Sequence, residues 1–225
     1  MALVIAAPAC PTVAVAGSSD RFPVRRIFCV GRNYAEHTRE MGGDPNAEPP
    51  FFFTKPADAV VDSGAAIPYP AATEDLHHEA ELVVALGAGG AFLSQDAALA
   101  LVWGYAAGND LTRRDLQAAA KAARRPWDMS KGFDHSAVLG ALRQGSAVPQ
   151  GRIRCLVDGV VTQDADLAEM IWPVAGIIAH LSQFVELKAG DLIFTGTPAG
   201  VGPIGRGQLC EVQIDGLAPA TVRVG

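Results

Sequence analysis

Closely spaced cysteines and long apolar runs are lacking in this sequence, and each absence excludes a class of protein. The four cysteines among 225 residues are widely scattered, without a CxxC pair or zinc-type spacing. We therefore expect free thiols in a reducing cytosol. No apolar run approaches the roughly 20 residues that cross a membrane. The apolar N-terminus has no lysine or arginine before Arg21 and is interrupted by Pro8 and Pro11, which is not a signal-peptide pattern. The expected location is cytoplasmic.

An excess of basic charge, internal repeats and low-complexity segments are also lacking. The formal net charge is −6, which argues against nucleic acid or an anionic membrane as the main partner. Hydrophobic residues make up 49% of the chain, enough for a globular core, and the length suits one sizeable domain. We expect a single domain over residues 1–225, in which residues 1–21 form an N-terminal extension with a first strand.

Short strands and a few helices account for most of the sequence pattern. Asp-Gly pairs at Asp158 and Asp215 each lie between apolar segments and predict hairpins. Thr112 and Asp115 have the [ST]-x-x-[DE] spacing of a capping box. Together these patterns predict an α+β fold built from curved, mixed sheets. Helices are predicted over residues 32–41, 94–101, 113–123 and 173–186, and a loop over residues 127–137.

Three acidic residues lie within or beside apolar strands, where buried charge needs a compensating ion. Glu79 and Glu81 open one apolar run, and Asp110 closes another. Residues i and i+2 of a strand face the same side about 7 Å apart, so the two glutamates repel unless a cation or a proton joins them. The three acids predict an all-oxygen site for a hard divalent cation, although the spacing equally fits a solvated edge strand. His77 is predicted on the Glu79 face and His78 on the other, and neither is assigned to the metal.

His37 and Glu40 lie three residues apart on the first predicted helix. The carboxylate can orient the imidazole, which would then act as a general base towards water. An exposed surface pair is the ordinary alternative. Glycines flank this segment, so residues 32–45 could move as a lid.

Other polar residues follow the predicted strands. Arg114 and Gln117 share one face of the helix after Asp110 and can contact a substrate oxygen, or can be surface residues. Lys131 stands in the predicted loop, where most lysines are solvated. A glycine-rich segment from Thr195 offers N–H groups to an anion, or is simply a tight turn.

Taken in order, these segments resemble the fumarylacetoacetate hydrolase family over roughly residues 22–224. Each motif alone is weak, but four in family order are a specific signal. Within the family, residues 49–59, 75–79 and 133–137 are most similar to members that act on fumarylpyruvate. The four motifs are C-V-G-R-N-Y at 29–34, E-x-E at 79–81, N-D-x-T-x-R-D-x-Q at 109–117 and T-G-T-P-x-G-V-G at 195–202.

The resemblance implies a fold, a cofactor and roles for individual residues. It implies a mixed β-roll-like α+β fold, a homodimer, and Mg²⁺ or Mn²⁺ bound by Glu79, Glu81 and Asp110. It makes His37 and Glu40 the pair that activates water, on a lid that orders over the substrate. It places four residues around the substrate: Arg114, Gln117, Lys131, which is a catalytic candidate, and Thr197, which would contact the carboxylate end.

The reaction that the resemblance implies is hydrolysis of a carbon–carbon bond in a 2,4-dioxo acid. Fumarylpyruvate, from gentisate-type breakdown of aromatic compounds, would give fumarate and pyruvate. The alternatives are a broad acylpyruvase or oxaloacetate decarboxylase, a hydratase or isomerase of 2-oxo-enoic diacids, and a non-enzymatic binding protein. A diacid has a second, distal carboxylate that requires a cation or several N–H donors, and Arg32, Arg124 and Arg125 are candidates.

Overall fold

The computed structural model describes the backbone of residues 3–40 and 49–225; the side chains of Thr38 and Glu40 also lie outside the described part. The helices are α1 Ala35–Glu40, α2 Gln95–Leu99, α3 Arg114–Ala122, α4 Asp128–Lys131 and α5 Val174–Leu181. The strands are β1 Thr12–Ala14, β2 Arg21–Pro23, β3 Arg26–Gly31, β4 Phe51–Lys55, β5 Val60–Asp62, β6 Ala65–Ile67, β7 Leu76–His78, β8 Ala80–Leu86, β9 Val102–Asp110, β10 Thr112–Arg113, β11 Ala137–Leu139, β12 Arg143–Gln144, β13 Arg152–Val157, β14 Val160–Asp166, β15 Asp191–Phe194, β16 Gly202–Pro203, β17 Leu209–Ile214 and β18 Ala220–Val224.

The largest sheet has eight strands and contains the acidic strands. Its order is β4-β3-β15-β8-β9-β11-β5, and β12 also pairs with β9. Both parallel and antiparallel pairs occur, since β15 runs parallel to β3 and antiparallel to β8. Because β8 lies between β15 and β9, Glu81 is on an interior strand and the edge-strand alternative is wrong. The expected α+β fold of mixed sheets with a few helices is confirmed.

Both faces of this sheet are buried, which explains why β8 is apolar at nearly every position. Leu82 and Val84 pack into a cluster that also contains residues of α5. Val83 lies on the opposite face, in the second cluster. Burying one such side chain stabilises the fold by roughly 1.5–3 kcal/mol. Strand alternation places Glu79 and Glu81 on the Val83 face, so the acids extend a buried apolar surface.

Smaller sheets bring other segments to the carboxyl end of β9. A five-stranded sheet has the order β14-β13-β17-β18-β6, and β1 pairs with β2. A third sheet has the order β10-β7-β16. In it, β10 precedes α3, β7 precedes Glu79, and β16 lies at the end of the glycine-rich turn. This small sheet places the start of α3 beside the acidic residues.

The hairpins and most helices agree with the sequence-based predictions, but one capping motif does not. The turn at Asp158 has positive φ angles at both central residues, as a two-residue hairpin requires. A helix does follow Thr112, yet Thr112 donates its hydroxyl hydrogen bond to the Asp110 carbonyl. Asp115 accepts hydrogen bonds from Thr73 and from the Leu116 backbone N–H. The predicted capping box is therefore wrong.

The four cysteines are free thiols, as expected. Cys155 and Cys210 bring their Sγ atoms within 3.5 Å of each other on neighbouring strands. Among the described residues, no helix combines the length and apolar character needed to cross a membrane.

Candidate active site and metal centre

Glu79, Glu81 and Asp110 meet at one end of the eight-stranded sheet. Glu79 links β7 to β8, Glu81 is the second residue of β8, and Asp110 is the last residue of β9. The Asp110 N–H donates a 2.9 Å hydrogen bond to the Glu79 carbonyl, which fixes the register of the two strands. All three side chains are buried, and one carboxylate oxygen from each lies within 4.8 Å of the others. The structure thus brings the three predicted ligands together.

Three cations surround these carboxylates. Lys131 Nζ lies 2.7 Å from Glu79 Oε2 and 2.8 Å from Asp110 Oδ2, and so bridges the two acids. Lys55 Nζ lies 2.7 Å from the other Asp110 oxygen. Arg114 Nη2 donates to Glu79 Oε1 at 2.6 Å. The acids are therefore buried together with balancing charge, as buried ions require.

Lys131 is buried, unlike most lysines in such segments. It ends α4, a four-residue helix inside the segment predicted to be a loop. Its carbonyl accepts hydrogen bonds from the Lys55 ammonium and the Ser136 hydroxyl. These bonds hold the end of α4 against the sheet and direct the Lys131 side chain towards the acids.

The charges around each group set opposite pKa shifts on the two glutamates. Burial raises the pKa of Glu79, but Lys131 and Arg114 overcome that effect and hold the pKa below its ordinary value. Burial raises the pKa of Glu81 well above its ordinary value, and the charges of Asp110 and Glu79 raise it further. Burial lowers the pKa of Lys131, whereas Asp110 and Glu79 raise it to a net upward shift.

The glycine-rich turn holds Glu81 through a backbone hydrogen bond. The Gly196 N–H donates to Glu81 Oε2 at 2.7 Å. Gly196 has a φ of +98°, and a Cβ atom there would lie 2.7 Å from the Cβ of Asn33. Asn33 in turn donates to the Thr195 carbonyl at 2.8 Å. Only glycine fits this position without strain.

The donor set fits a hard divalent cation. Three converging carboxylates supply the oxygen ligands that Mg²⁺ and Mn²⁺ prefer. Among the described residues, Asp110 Oδ1 accepts no hydrogen bond with good geometry despite its closeness to Lys55. Glu81 forms no ion pair with any residue that the structure describes. Glu79, Glu81 and Asp110 could therefore hold a divalent metal, with Lys131 sharing two of the three ligands.

His37 faces the same site, but its predicted partner cannot be placed. His37 lies on α1, is 6% exposed and lines the cavity next to the acids. The Glu40 side chain and residues 41–48 lie outside the described residues. The water-activating pair and the lid over residues 32–45 therefore stay predictions.

A cavity opens from the acids towards solvent. Arg114, Gln117 and Lys121 line it from α3, and Arg114 Nη1 donates to Gln117 Oε1 at 2.6 Å. The opposing wall is aromatic, because Trp127 packs against Phe51 and Phe53 with ring centroids 5.4 and 5.7 Å apart. The cavity thus has a charged inner end and an aromatic side.

Thr197 lines the cavity at the glycine-rich turn. Gln163 of β14 donates from Nε2 to Thr197 Oγ1 and to the Pro198 carbonyl, each at 2.8 Å. Its Oε1 lies 3.0 Å from Nδ1 of His78. His77 instead accepts from Arg114, so the two histidines point apart as predicted.

Comparison with known proteins decides the family. The model of the fumarylacetoacetate (FAA) hydrolase C-terminal domain matches residues 26–225.

The chain belongs to the fumarylacetoacetate hydrolase family.

Its relatives in this family include enzymes of more than one activity. A fumarylpyruvate hydrolase of Ralstonia sp is 42% identical over 184 residues, which cover 81% of this chain and 96% of that protein. A mitochondrial oxaloacetate decarboxylase of Dictyostelium discoideum is 38% identical over 202 residues, covering 86% and 90%. The crystal structure of fumarylpyruvate hydrolase from Pseudomonas aeruginosa in complex with Mn²⁺ and pyruvate superposes with a TM-score of 0.95, at 47% identity and 99% coverage of both chains.

Two residues of the site, Lys55 and Lys121, were not predicted from the sequence. Lys55 follows three phenylalanines at the end of β4, and nothing local predicts that its ammonium reaches Asp110. Lys121 lies four residues after Gln117, so helical periodicity could have placed it on the same face. The structure brings together the remaining predicted site residues whose side chains it describes.

Proposed function

We propose that this enzyme is a metal-dependent hydrolase that converts fumarylpyruvate to fumarate and pyruvate. The observation that carries the proposal is the convergence of His37, three carboxylates and the cations Lys131 and Arg114 on one cavity. The similarity to two fumarylpyruvate hydrolases supports the substrate.

In this mechanism the 2-oxo acid end of the substrate lies at the inner end of the cavity, beside Thr197. A divalent cation held by Glu79, Glu81 and Asp110 would supply positive charge that favours departure of the pyruvate enolate. Thr197 is positioned by Gln163, so its hydroxyl can orient the carboxylate of the substrate.

His37 would take a proton from water as the oxygen adds to C4 of the substrate. Lys131, Arg114 and Gln117 would stabilise the negative oxygen that forms on C4. The C3–C4 bond then breaks, and its electron pair leaves with the pyruvate enolate. The proton on His37 returns to C3, while the new carboxylic acid of fumarate releases its own proton.

A second candidate activity is decarboxylation of oxaloacetate, which the relative from Dictyostelium discoideum supports. This reaction would use the same acids and needs no activated water. The discriminating experiment is an assay of purified protein with Mg²⁺ against fumarylpyruvate, acetylpyruvate and oxaloacetate. Loss of enol absorbance, release of fumarate and release of pyruvate are followed separately. We expect the highest kcat/KM with fumarylpyruvate. A higher value with oxaloacetate would overturn the proposal, and a higher value with acetylpyruvate would favour a general acylpyruvase.

We further propose that the enzyme acts as a cytoplasmic homodimer in the breakdown of aromatic compounds. Two exposed aromatic residues, Phe92 and Phe184, support burial against a second copy. Light scattering after size exclusion tests the dimer, for which we expect about twice the chain mass of 23.4 kDa.

A further inference from the structure

One face of α3 carries three cavity residues in a row. Arg114, Gln117 and Lys121 follow each other at intervals of three and four residues, which is the spacing of a single helical face. Arg114 contacts Glu79 at the inner end. Lys121 lies seven residues further along, about 10 Å at 1.5 Å per residue. The face therefore leads from the acids to the outer part of the cavity.

The Lys121 ammonium is half-buried in a positively charged environment. Its Nζ lies 5.2 Å from the centre of the Trp127 ring. In the part of the chain that the structure describes, no carboxylate or hydrogen-bond acceptor contacts it. Burial lowers the pKa of Lys121 to about 8, and the charges of Arg114 and Arg32 contribute to the same shift. A cation in such a place is stabilised by a bound anion.

We propose that Lys121 binds the distal carboxylate of a dicarboxylic substrate, an inference that rests on the proposed function. Lys121 would then be the residue that distinguishes a diacid from a simple acylpyruvate. Its binding energy would be available only to substrates whose acyl part ends in an anion.

The length of the α3 face suits such a ligand. A seven-carbon diacid has six carbon–carbon bonds between its carboxyl carbons and spans about 7.5 Å, since an extended zigzag chain advances about 1.25 Å per bond. With the 2-oxo acid end at the carboxylates, the second carboxylate extends along α3 towards Lys121. The flat, conjugated acyl chain between them would pack against Trp127 and Phe51, whose rings line the cavity.

The arginines suggested by the sequence fit this role less well. Arg125 lines an adjoining cavity that shares Phe51, Phe53, Trp127 and Lys131 with the first, and Arg124 is not among the residues that line either of the two. Arg32 does line the same cavity, with its guanidinium 5.9 Å from the centre of the Phe51 ring. Arg32 lies outside the α3 face that begins beside Glu79, whereas Lys121 continues that face.

The test compares fumarylpyruvate with acetylpyruvate in wild type, Lys121→Met, Lys121→Arg and Arg125→Met. Methionine keeps the length and apolar part of lysine, and Lys121 is not in the core, so the fold is expected to survive. For Lys121→Met we expect KM for fumarylpyruvate to rise about 10- to 100-fold, the value of one charged hydrogen bond. KM for acetylpyruvate and both kcat values should change little. Lys121→Arg should recover much of the loss, and Arg125→Met, which removes an equal charge outside the cavity, should resemble wild type.

Inhibition by fumarate gives a second readout that does not depend on turnover of the diacid. Fumarate should inhibit acetylpyruvate cleavage more weakly in Lys121→Met than in wild type. An equal rise in KM for both substrates, or no rise, would overturn the role of Lys121 while leaving the hydrolase proposal intact. Failure of the wild-type enzyme to cleave either acylpyruvate would overturn both.

Discussion

The three buried acids are not equivalent, because within residues 3–40 and 49–225 cations contact Glu79 and Asp110 but not Glu81. Glu79 and Asp110 form ion pairs with Lys131, whereas Glu81 accepts a backbone hydrogen bond from Gly196 and faces two other acids. The like charges therefore destabilise the metal-free protein mainly through Glu81.

We predict that Glu81→Gln raises the free energy of unfolding of the metal-free protein, since the amide keeps the hydrogen bond and removes the charge. Glu79→Gln should lower it by about 1–3 kcal/mol, because Lys131 and Arg114 lose a charged partner. Urea denaturation in the presence of a chelator measures both. The prediction fails if the two variants shift stability in the same direction.

The same asymmetry sets a pH dependence. The pKa of Glu81 is higher in the folded protein than in the unfolded chain, so the folded state binds the extra proton. The protonated Glu81 side chain contributes fully to stability below the ordinary glutamate pKa. This contribution is lost as the pH rises through the raised pKa of Glu81 in the folded protein. Metal-free wild type should therefore lose stability relative to Glu81→Gln as the pH rises through that window. Parallel pH profiles would contradict the assignment.

His37 is the residue whose role separates hydrolysis from decarboxylation. We predict that His37→Ala lowers fumarylpyruvate hydrolysis by about 10²- to 10⁴-fold, the usual contribution of a general base. Decarboxylation of oxaloacetate should fall less, because it needs no activated water. Binding of Mg²⁺, measured by calorimetry, serves as the control and should persist. Equal losses in both reactions would indicate that His37 has a structural role and does not activate water.

At the scale of elements, α4 places one positive charge, that of Lys131, beside two candidate metal ligands. Lys131→Met should destabilise the metal-free protein by about 3–5 kcal/mol, as expected when one partner of a buried ion pair is removed. It should also tighten Mg²⁺ binding, because a positive charge next to the ion is removed. Urea denaturation and calorimetry measure the two effects. Weaker Mg²⁺ binding in this variant would contradict the shared-ligand geometry.

Strand periodicity predicted more of this site than helix or loop patterns did. Glu79 and Glu81 could be placed on one face because strand alternation depends only on the local sequence. The position of Asp110 beside them depends on the pairing of β8 with β9. Only the family resemblance placed Lys131 at the site, and Lys55 was not predicted at all. Each lysine reaches the acids through a tertiary contact with Asp110, which is 21 residues from Lys131 and 55 residues from Lys55. The α4 helix has four residues, too few for a periodic pattern.

At the scale of the whole molecule, the candidate metal ligands lie at the ends of two central strands of the largest sheet. Glu81 lies on β8 and Asp110 on β9, and both strands are interior. Unfolding of the chain therefore separates the ligands, so binding of a divalent ion stabilises the folded state as a whole.

We predict that Mg²⁺ or Mn²⁺ raises the Tm of the wild-type protein. At a free ion concentration of 100 times Kd, the folded state gains about 2.7 kcal/mol, which corresponds to a Tm increase of about 5–10 °C for a chain of this length. Glu81→Gln provides the matched control, since it should be at least as stable as wild type without metal and yet lacks one ligand. Its Tm should respond much less to either ion. The variant should therefore have the higher Tm without the ion, and wild type should have the higher Tm once the ion is added. An equal increase in both proteins would mean that the ions act elsewhere on the molecule, and the three carboxylates would then not be the metal site.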